Sequence, residues 1–135
     1  MDFLGSCHPW NIIKNFVLSF LMALSALIIL AGCGDSPSDK FGVPISNREI
    51  TPIARLFDYP HKYNGKTVTL KGVVDTQDQK GHWLYMKDEE ARIYVDLFDS
   101  GFAVSLLTGK TILVEGRIEV TSKIPSLLAK GVEAL

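Results

Sequence analysis

The sequence predicts a small, mainly β protein: five strands coiled into a barrel and preceded by one short amphipathic helix. Three observations predict it. Beyond residue 41 apolar residues recur at every second position in five runs separated by polar or glycine-bearing turns. Two of these runs carry a glycine in mid-strand, Gly72 and Gly116, which weakens a flat strand but permits the coiling that closes a small barrel. Finally, removing an apolar leader at residue 32 of the 135 leaves 103 residues, room for one small domain and not two.

The leader is read first. Phe16 to Leu30 is fifteen residues without a charge, preceded by Lys14 and followed by the small pair Ala31-Gly32 and by Cys33. As a helix it would span roughly 22 Å, short of the roughly 30 Å hydrocarbon core, so translocation and cleavage suit it better than permanent anchorage. Leu30-Ala31-Gly32-Cys33 resembles the bacterial lipobox, which implies that Cys33 becomes the first residue of a lipoprotein and carries diacylglycerol, with palmitate or similar chains. One acyl chain binds a bilayer marginally, whereas two or three anchor stably. Gly34 after the cysteine implies the outer membrane, facing the periplasm, in a Gram-negative cell. GDSPSDK then has nothing apolar to pack and reads as a flexible tether. The domains are thus a signal peptide over 1–32, the lipidated cysteine and tether over 33–40, and the barrel over 41–135.

Within the barrel domain, Thr51 is read as a helix cap and Pro52 as the first helical residue, with Ile53, Leu56 and Phe57 on one face and Pro60 as the stop. Tyr63-Asn64-Gly65-Lys66 is a turn signal. The first strand, Thr67–Val74, puts Val68, Leu70, Gly72 and Val74 on one side, and DTQDQKG is a polar connection. The second, His82–Asp88, sets Trp83 and Tyr85 opposite His82, Leu84 and Met86. Asp88-Glu89-Glu90 turns into the third, Ala91–Phe98, with Ile93, Val95 and Leu97 inward and Arg92, Tyr94 and Asp96 outward. A connector leads to the fourth, Thr111–Val120, where Ile112, Val114, Ile118 and Val120 alternate with Glu115, Arg117 and Glu119. A turn over Thr121–Pro125 precedes the fifth, Ser126–Leu135. Five coiled strands around a small core define an OB-like barrel.

The segments FGVPI, YNGKTVTLKGVV, KGHWLYMKD, RIYVDLFDSGFAV, LTGKTILVEGRIEV and AKGVEA together resemble a family of small exported bacterial domains of unknown function, OB-like in pattern. The resemblance runs from Phe41 to the carboxyl terminus and implies a fold, not a reaction. That family carries a Cys-x4-Cys-Trp segment. Here Gln77 and His82 stand at the two cysteine positions, while Gly81 and Trp83 match. With no cysteine after Cys33, internal disulfides and thiolate chemistry are excluded.

Charge narrows the function further. From Cys33 onward thirteen Lys or Arg face fourteen Asp or Glu, and no basic cluster exists to neutralise a phosphate backbone, so nucleic acid is an unfavourable partner. Trp83, Tyr85, Tyr94 and Phe98 fall on the second and third strands, the face an OB barrel offers to ligands, and could stack a ligand or partner side chain. His82, with His61 or Asp78, could instead contribute to a Cu or Zn site, although no pattern supplies a third or fourth ligand. No Ser–His–acid set is readable, and Glu115 and Glu119 lie roughly 13 Å apart on one strand, too far for a glycosidase pair. The sequence therefore indicates a lipid-anchored, non-catalytic binding module of the cell envelope whose partner is an envelope protein or a small ligand. Metal handling is the alternative, and single-stranded nucleic-acid binding by analogy of fold is a more distant one. Intact mass of the cellular protein should show loss of residues 1–32 and fatty acyl groups on Cys33; a retained leader and a bare thiol would contradict the lipobox reading.

Overall fold

The computed structural model describes residues 39–135; the signal peptide, Cys33 and the tether up to Ser38 lie outside the described residues. In chain order the elements are β1 (Lys40–Gly42), α1 (Ile53–Asp58), α2 (Pro60–Tyr63), β2 (Thr67–Gln77), β3 (Trp83–Lys87), β4 (Arg92–Asp96), β5 (Thr111–Thr121) and β6 (Ile124–Ala134). The β2–β3–β4 meander and the β5–β6 hairpin join at both edges. β2 pairs with β5 antiparallel, and β4 pairs with β6 in parallel through Tyr94–Ser126, Val95–Leu127 and Asp96–Leu128. The five long strands therefore form a closed ring, an OB-like Greek-key barrel.

Alternation fills the ring. Leu70 and Val74 of β2, Leu84 and Met86 of β3, Ile93 and Val95 of β4, Ile112, Val114 and Ile118 of β5 and Leu127 of β6 are all buried in one cluster. β6 would lose this phase in its second half, but a bulge at Lys130 resets it: Gly116 pairs with Ala129 and Glu115 with Gly131, so Val132 and Ala134 again point inward. A Cβ on Gly116 would overlap the carbonyl oxygen of Leu128, and one on Gly72 that of Lys87. Both mid-strand glycines thus mark close backbone approach in the coiled sheet.

The sequence reading needs correction at several boundaries. Thr51 does not cap α1 and Pro52 is not its first residue; Pro52 is extended and makes no side-chain cap. The first helical N–H, that of Ile53, donates instead to Asp88 Oδ2 at 2.9 Å, across from the β3–β4 turn. Ile53 and Leu56 are buried, but Phe57 is 41% exposed and not part of the packed face. Pro60 does not merely stop the chain; it occupies the first position of α2. β2 runs three residues further than expected because a bulge between Val74 and Thr76 absorbs Asp75 and lets pairing with β3 continue. The turn read as Thr121–Pro125 is only Ser122-Lys123, both at positive φ (51° and 68°), as a type I′ hairpin requires. Pro125 fits within β6 because pairing to β4 begins only at Ser126.

β1 was not read from the sequence. It begins at Lys40, the last residue assigned to the tether, and pairs with Gly131–Glu133 of β6. From there residues 43–50 cross the outside of the barrel over β6, β5 and β2. Val43 N–H donates to Lys130 O, Thr51 N–H to Thr69 O, and Thr69 Oγ1 to Asn47 O at 2.6 Å. Under this strap lies Glu115, read as a solvent-facing strand residue but only 6% exposed. Its carboxylate accepts the backbone N–H groups of Asn47 (2.8 Å) and Ser46 (2.9 Å) and the Ser46 hydroxyl (3.0 and 3.1 Å). The Asn47 N–H is the main reason its carboxyl is held below the usual glutamate range; burial opposes this, and the Ser46 donors and the Lys130 charge reinforce it.

Two measurements check this account. Gly116→Ala should destabilise the domain by about 1–3 kcal/mol, read as a lower urea midpoint at unchanged slope, because the methyl must displace β6 backbone. Glu115→Gln should cost about 1–2 kcal/mol at neutral pH: the amide oxygen can take both backbone donors, which share Oε2, and the NH₂ then meets the Ser46 hydroxyl, so what is lost is the negative charge on these hydrogen bonds. Because the folded-state pKa of Glu115 lies below its ordinary 4.5, its contribution is complete above that value and disappears as pH falls through the folded-state value. The gap between wild type and Glu115→Gln should therefore be constant from pH 7 to 5 and narrow below about 4.5; a gap independent of pH would refute the role of the carboxylate.

Candidate binding face

The β3–β4 hairpin carries the side chains singled out from the sequence. Its turn is set by Asp88, whose Oδ1 accepts the N–H groups of Glu90 and Ala91, both at 2.9 Å. Partial burial pushes the Asp88 carboxyl up, but the N–H donors of Glu90, Ile53 and Ala91 together outweigh it and hold the group below the usual range. The acidic turn is thus a structural clasp whose first member also caps the start of α1. From this turn the register pairs Lys87 with Arg92, Tyr85 with Tyr94 and Trp83 with Asp96, all outward, and Met86 with Ile93 and Leu84 with Val95, all inward.

Trp83, Tyr85 and Tyr94 come together as one half-buried aromatic cluster. Tyr85 and Tyr94 meet edge-on with centroids 5.4 Å apart, Trp83 and Tyr85 likewise at 6.1 Å, and Trp83 and Tyr94 lie 6.3 Å apart with planes tilted by 30°. The Arg92 guanidinium sits 4.1 Å from the Tyr85 ring centroid. Bulged Asp75 holds it there, accepting from Arg92 Nε at 3.1 Å and from Lys87 Nζ at 2.8 Å. The Lys87 hydrogen bond, helped by the charges of both cations against some desolvation, keeps the Asp75 carboxyl ionised below its ordinary range. Burial, with the nearby Asp96 and Tyr85, raises the Tyr94 pKa, so its hydroxyl remains a proton donor at any physiological pH. The strip offers π faces at one end and a positioned guanidinium at the other.

Phe98 does not join these three. The Asp96 carboxylate accepts the Phe98 N–H at 2.8 Å and turns the chain away from β4, leaving the ring 69% exposed at the barrel rim, edge-on to His82 at 5.4 Å. Of the metal candidates, His82 Nδ1 lies 3.8 Å from Asp78 Oδ2, while His61 is exposed on α2. Among the described residues no three His, Cys, Asp or Glu side chains gather to hold a metal ion. Two donors fall short of the three or four protein ligands that Zn or Cu sites use. Gln77, at a cysteine position of the resembled family, fastens the β4–β5 connector: Leu107 N–H donates to its Oε1 at 2.6 Å, and its Nε2 donates to Ser105 O at 2.9 Å. The hydroxyls of Ser100 and Ser126 donate to the carbonyls of Ala129 and Glu119.

Sequence reasoning missed Asp75, Lys87 and Arg92 as parts of this face. Lys87 and Arg92 flank the hairpin turn symmetrically and were legible as a cross-strand pair; Asp75 was not, because only the bulge brings it level with them.

No protein-family model and no curated protein matches the chain. Among solved structures it is similar to the hypothetical protein ygiW from E. coli, with 17% identity and a TM-score of 0.49 over 64% of this chain and 90% of that one. It is also similar to the telomere capping protein Ten1 from Saccharomyces pombe, with 19% identity and a TM-score of 0.38 over 53% of this chain and 71% of that one. The OB-like assignment rests on the strand order and closure of this chain itself.

Proposed function

We propose that the protein is a lipid-anchored, non-catalytic binding module of the cell envelope, tethered at Cys33, whose β3–β4 face takes an envelope protein or a small ligand. The observation that carries the binding half is the joint outward placement of Trp83, Tyr85 and Tyr94 beside a guanidinium held in position by Asp75. Three aromatic groups that could have completed the core sit instead on the outside of a ring already filled by aliphatic side chains. Packed against one another, they lose little side-chain freedom on binding, which favours recognition through stacking and apolar contact. Lys87 and Arg92, the cations on the strip among the described residues, are both engaged by Asp75, an arrangement that disfavours a polyphosphate ligand.

Trp83→Ala and Tyr94→Ala should each leave the domain folded, with the urea midpoint lowered by no more than a partly exposed side chain warrants, about 1 kcal/mol, while abolishing retention of its partner in cross-linked envelope preparations. Variants that unfold, or that fold and keep every cross-linked partner, would both count against the aromatic strip as the binding surface.

A further inference from the structure

The register gathers one set of chain ends at a single end of the barrel. Gln77 lies opposite Leu84, Trp83 opposite Asp96, Val73 opposite Thr111, and Ile112 opposite Ala134, so the β2–β3 loop, the β4–β5 connector, the start of β5 and the carboxyl terminus all share it. β1 enters there too: Lys40 pairs with Glu133, Ala134 N–H donates to Asp39 O, and Lys110 Nζ reaches Asp39 Oδ2 at 3.5 Å. This same end carries three large apolar side chains with no cover, Phe98 at 69%, Leu106 at 71% and Leu135 at 61% exposure. We infer that the end of the barrel bearing Phe98, Leu106 and Leu135 docks on the lipid bilayer that holds Cys33, seating these side chains in the interfacial region.

The inference rests on the lipid-anchor reading, and chain length selects the occupant. Six peptide steps separate Cys33 from Asp39. Fully extended they reach about 20 Å, less than the roughly 34 Å diameter of a sphere whose radius of gyration is that of a domain near 100 residues. A domain held so closely cannot turn its opposite end to the membrane. It must keep the Asp39 end near the surface, where the high effective concentration makes a few weak apolar contacts sufficient. Exposed Lys40, Lys80 and Lys110 at this end are matched by Asp39, Asp78 and Asp99, and Asp96 and Glu133 lie there too, so no cationic excess draws anionic lipid and the contact is apolar. Phe98 suits an interfacial position, where aromatic rings gather. The opposite end supplies a matched reference in Ile124, 65% exposed beside the β5–β6 hairpin turn.

The domain contains no cysteine after Cys33, so Phe98→Cys, Leu106→Cys and Ile124→Cys each add one free thiol to the full chain, produced with its leader and reconstituted after lipidation. Each is labelled with an environment-sensitive fluorophore and floated with vesicles of phosphatidylcholine, alone or mixed with phosphatidylglycerol. The expected result is a blue shift at 98 and 106, equal in both lipids, and none at 124. A Leu135→Cys label should also shift, and should lose that shift in the Phe98→Asp, Leu106→Asp background while flotation persists. Flotation with all labels in an aqueous environment would overturn the docking and leave the anchor standing. A chain that fails to float overturns both, and a shift that needs phosphatidylglycerol overturns the apolar contact.

Discussion

β6 has three partners, β5 along nearly its whole length, β1 over three residues and β4 over three, and the short parallel contact with β4 turns a curved sheet into a ring. Ring closure leaves no free edge among the five long strands, so every one of them can spend its inward side chains on a common core. It also demands coiling that flat pleats do not give. Gly116 and Gly72 stand where neighbouring carbonyls come too close for a Cβ, and the Lys130 bulge restores the inward phase of β6. The candidate face depends on the same closure, because Tyr94 and Asp96 are two of the three residues through which β4 pairs with β6. Loosening the seam would loosen the strand that carries one of the three aromatic rings.

A domain without disulfides needs other long-range fasteners, and here carboxylates provide them. Glu115 binds Ser46 and Asn47, nearly seventy positions earlier, Asp88 binds the first N–H of α1, and Asp75 gathers Lys87 and Arg92. In each case one anionic side chain accepts from two or more donors. Burying a carboxylate is costly unless it is so satisfied, and backbone N–H groups satisfy it without demanding a second charge. Glu115 is the most buried of the three and does the longest-range work: it fixes the strap that closes over β5 and β2, with Thr69 bonded to the same segment.

Period-2 patterning made the barrel legible because β3 and β4 bury one face and leave the other open, and β2 and β5 do so over part of their length; Leu84 and Met86, Ile93 and Val95, and Ile112 and Val114 lie where alternation puts them. The errors fall where tertiary contact overrides local signal. Thr51-Pro52 has the form of a capped start, yet Asp88 supplies the acceptor from thirty-five positions away. Glu115 looks like a surface residue until the strap, itself without periodic apolar content, covers it. Trp83, Tyr85 and Tyr94 were readable as one group because strand alternation and a tight hairpin determine their register. Phe98 continues that alternation in sequence, but the Asp96 carboxylate takes its N–H and the strand ends two residues sooner, at Asp96. Nothing in the composition signals that competition.

The strip has a direction that matters once the barrel has a membrane-facing end. Trp83 and Asp96 lie at the end where β1 enters, Tyr85 and Tyr94 midway, and Lys87 with Arg92 at the far end beside the Asp88 turn. Under the proposed docking the strip stands upright, its indole nearest the bilayer and its guanidinium farthest into the aqueous space. A partner approaching from the side would meet stacking surface low and charge high, so an elongated ligand would be oriented relative to the membrane as well as held. The cation at the top is not free to swing, because Asp75 and the Tyr85 ring hold it from two directions, and such preorganisation favours one orientation over its reverse.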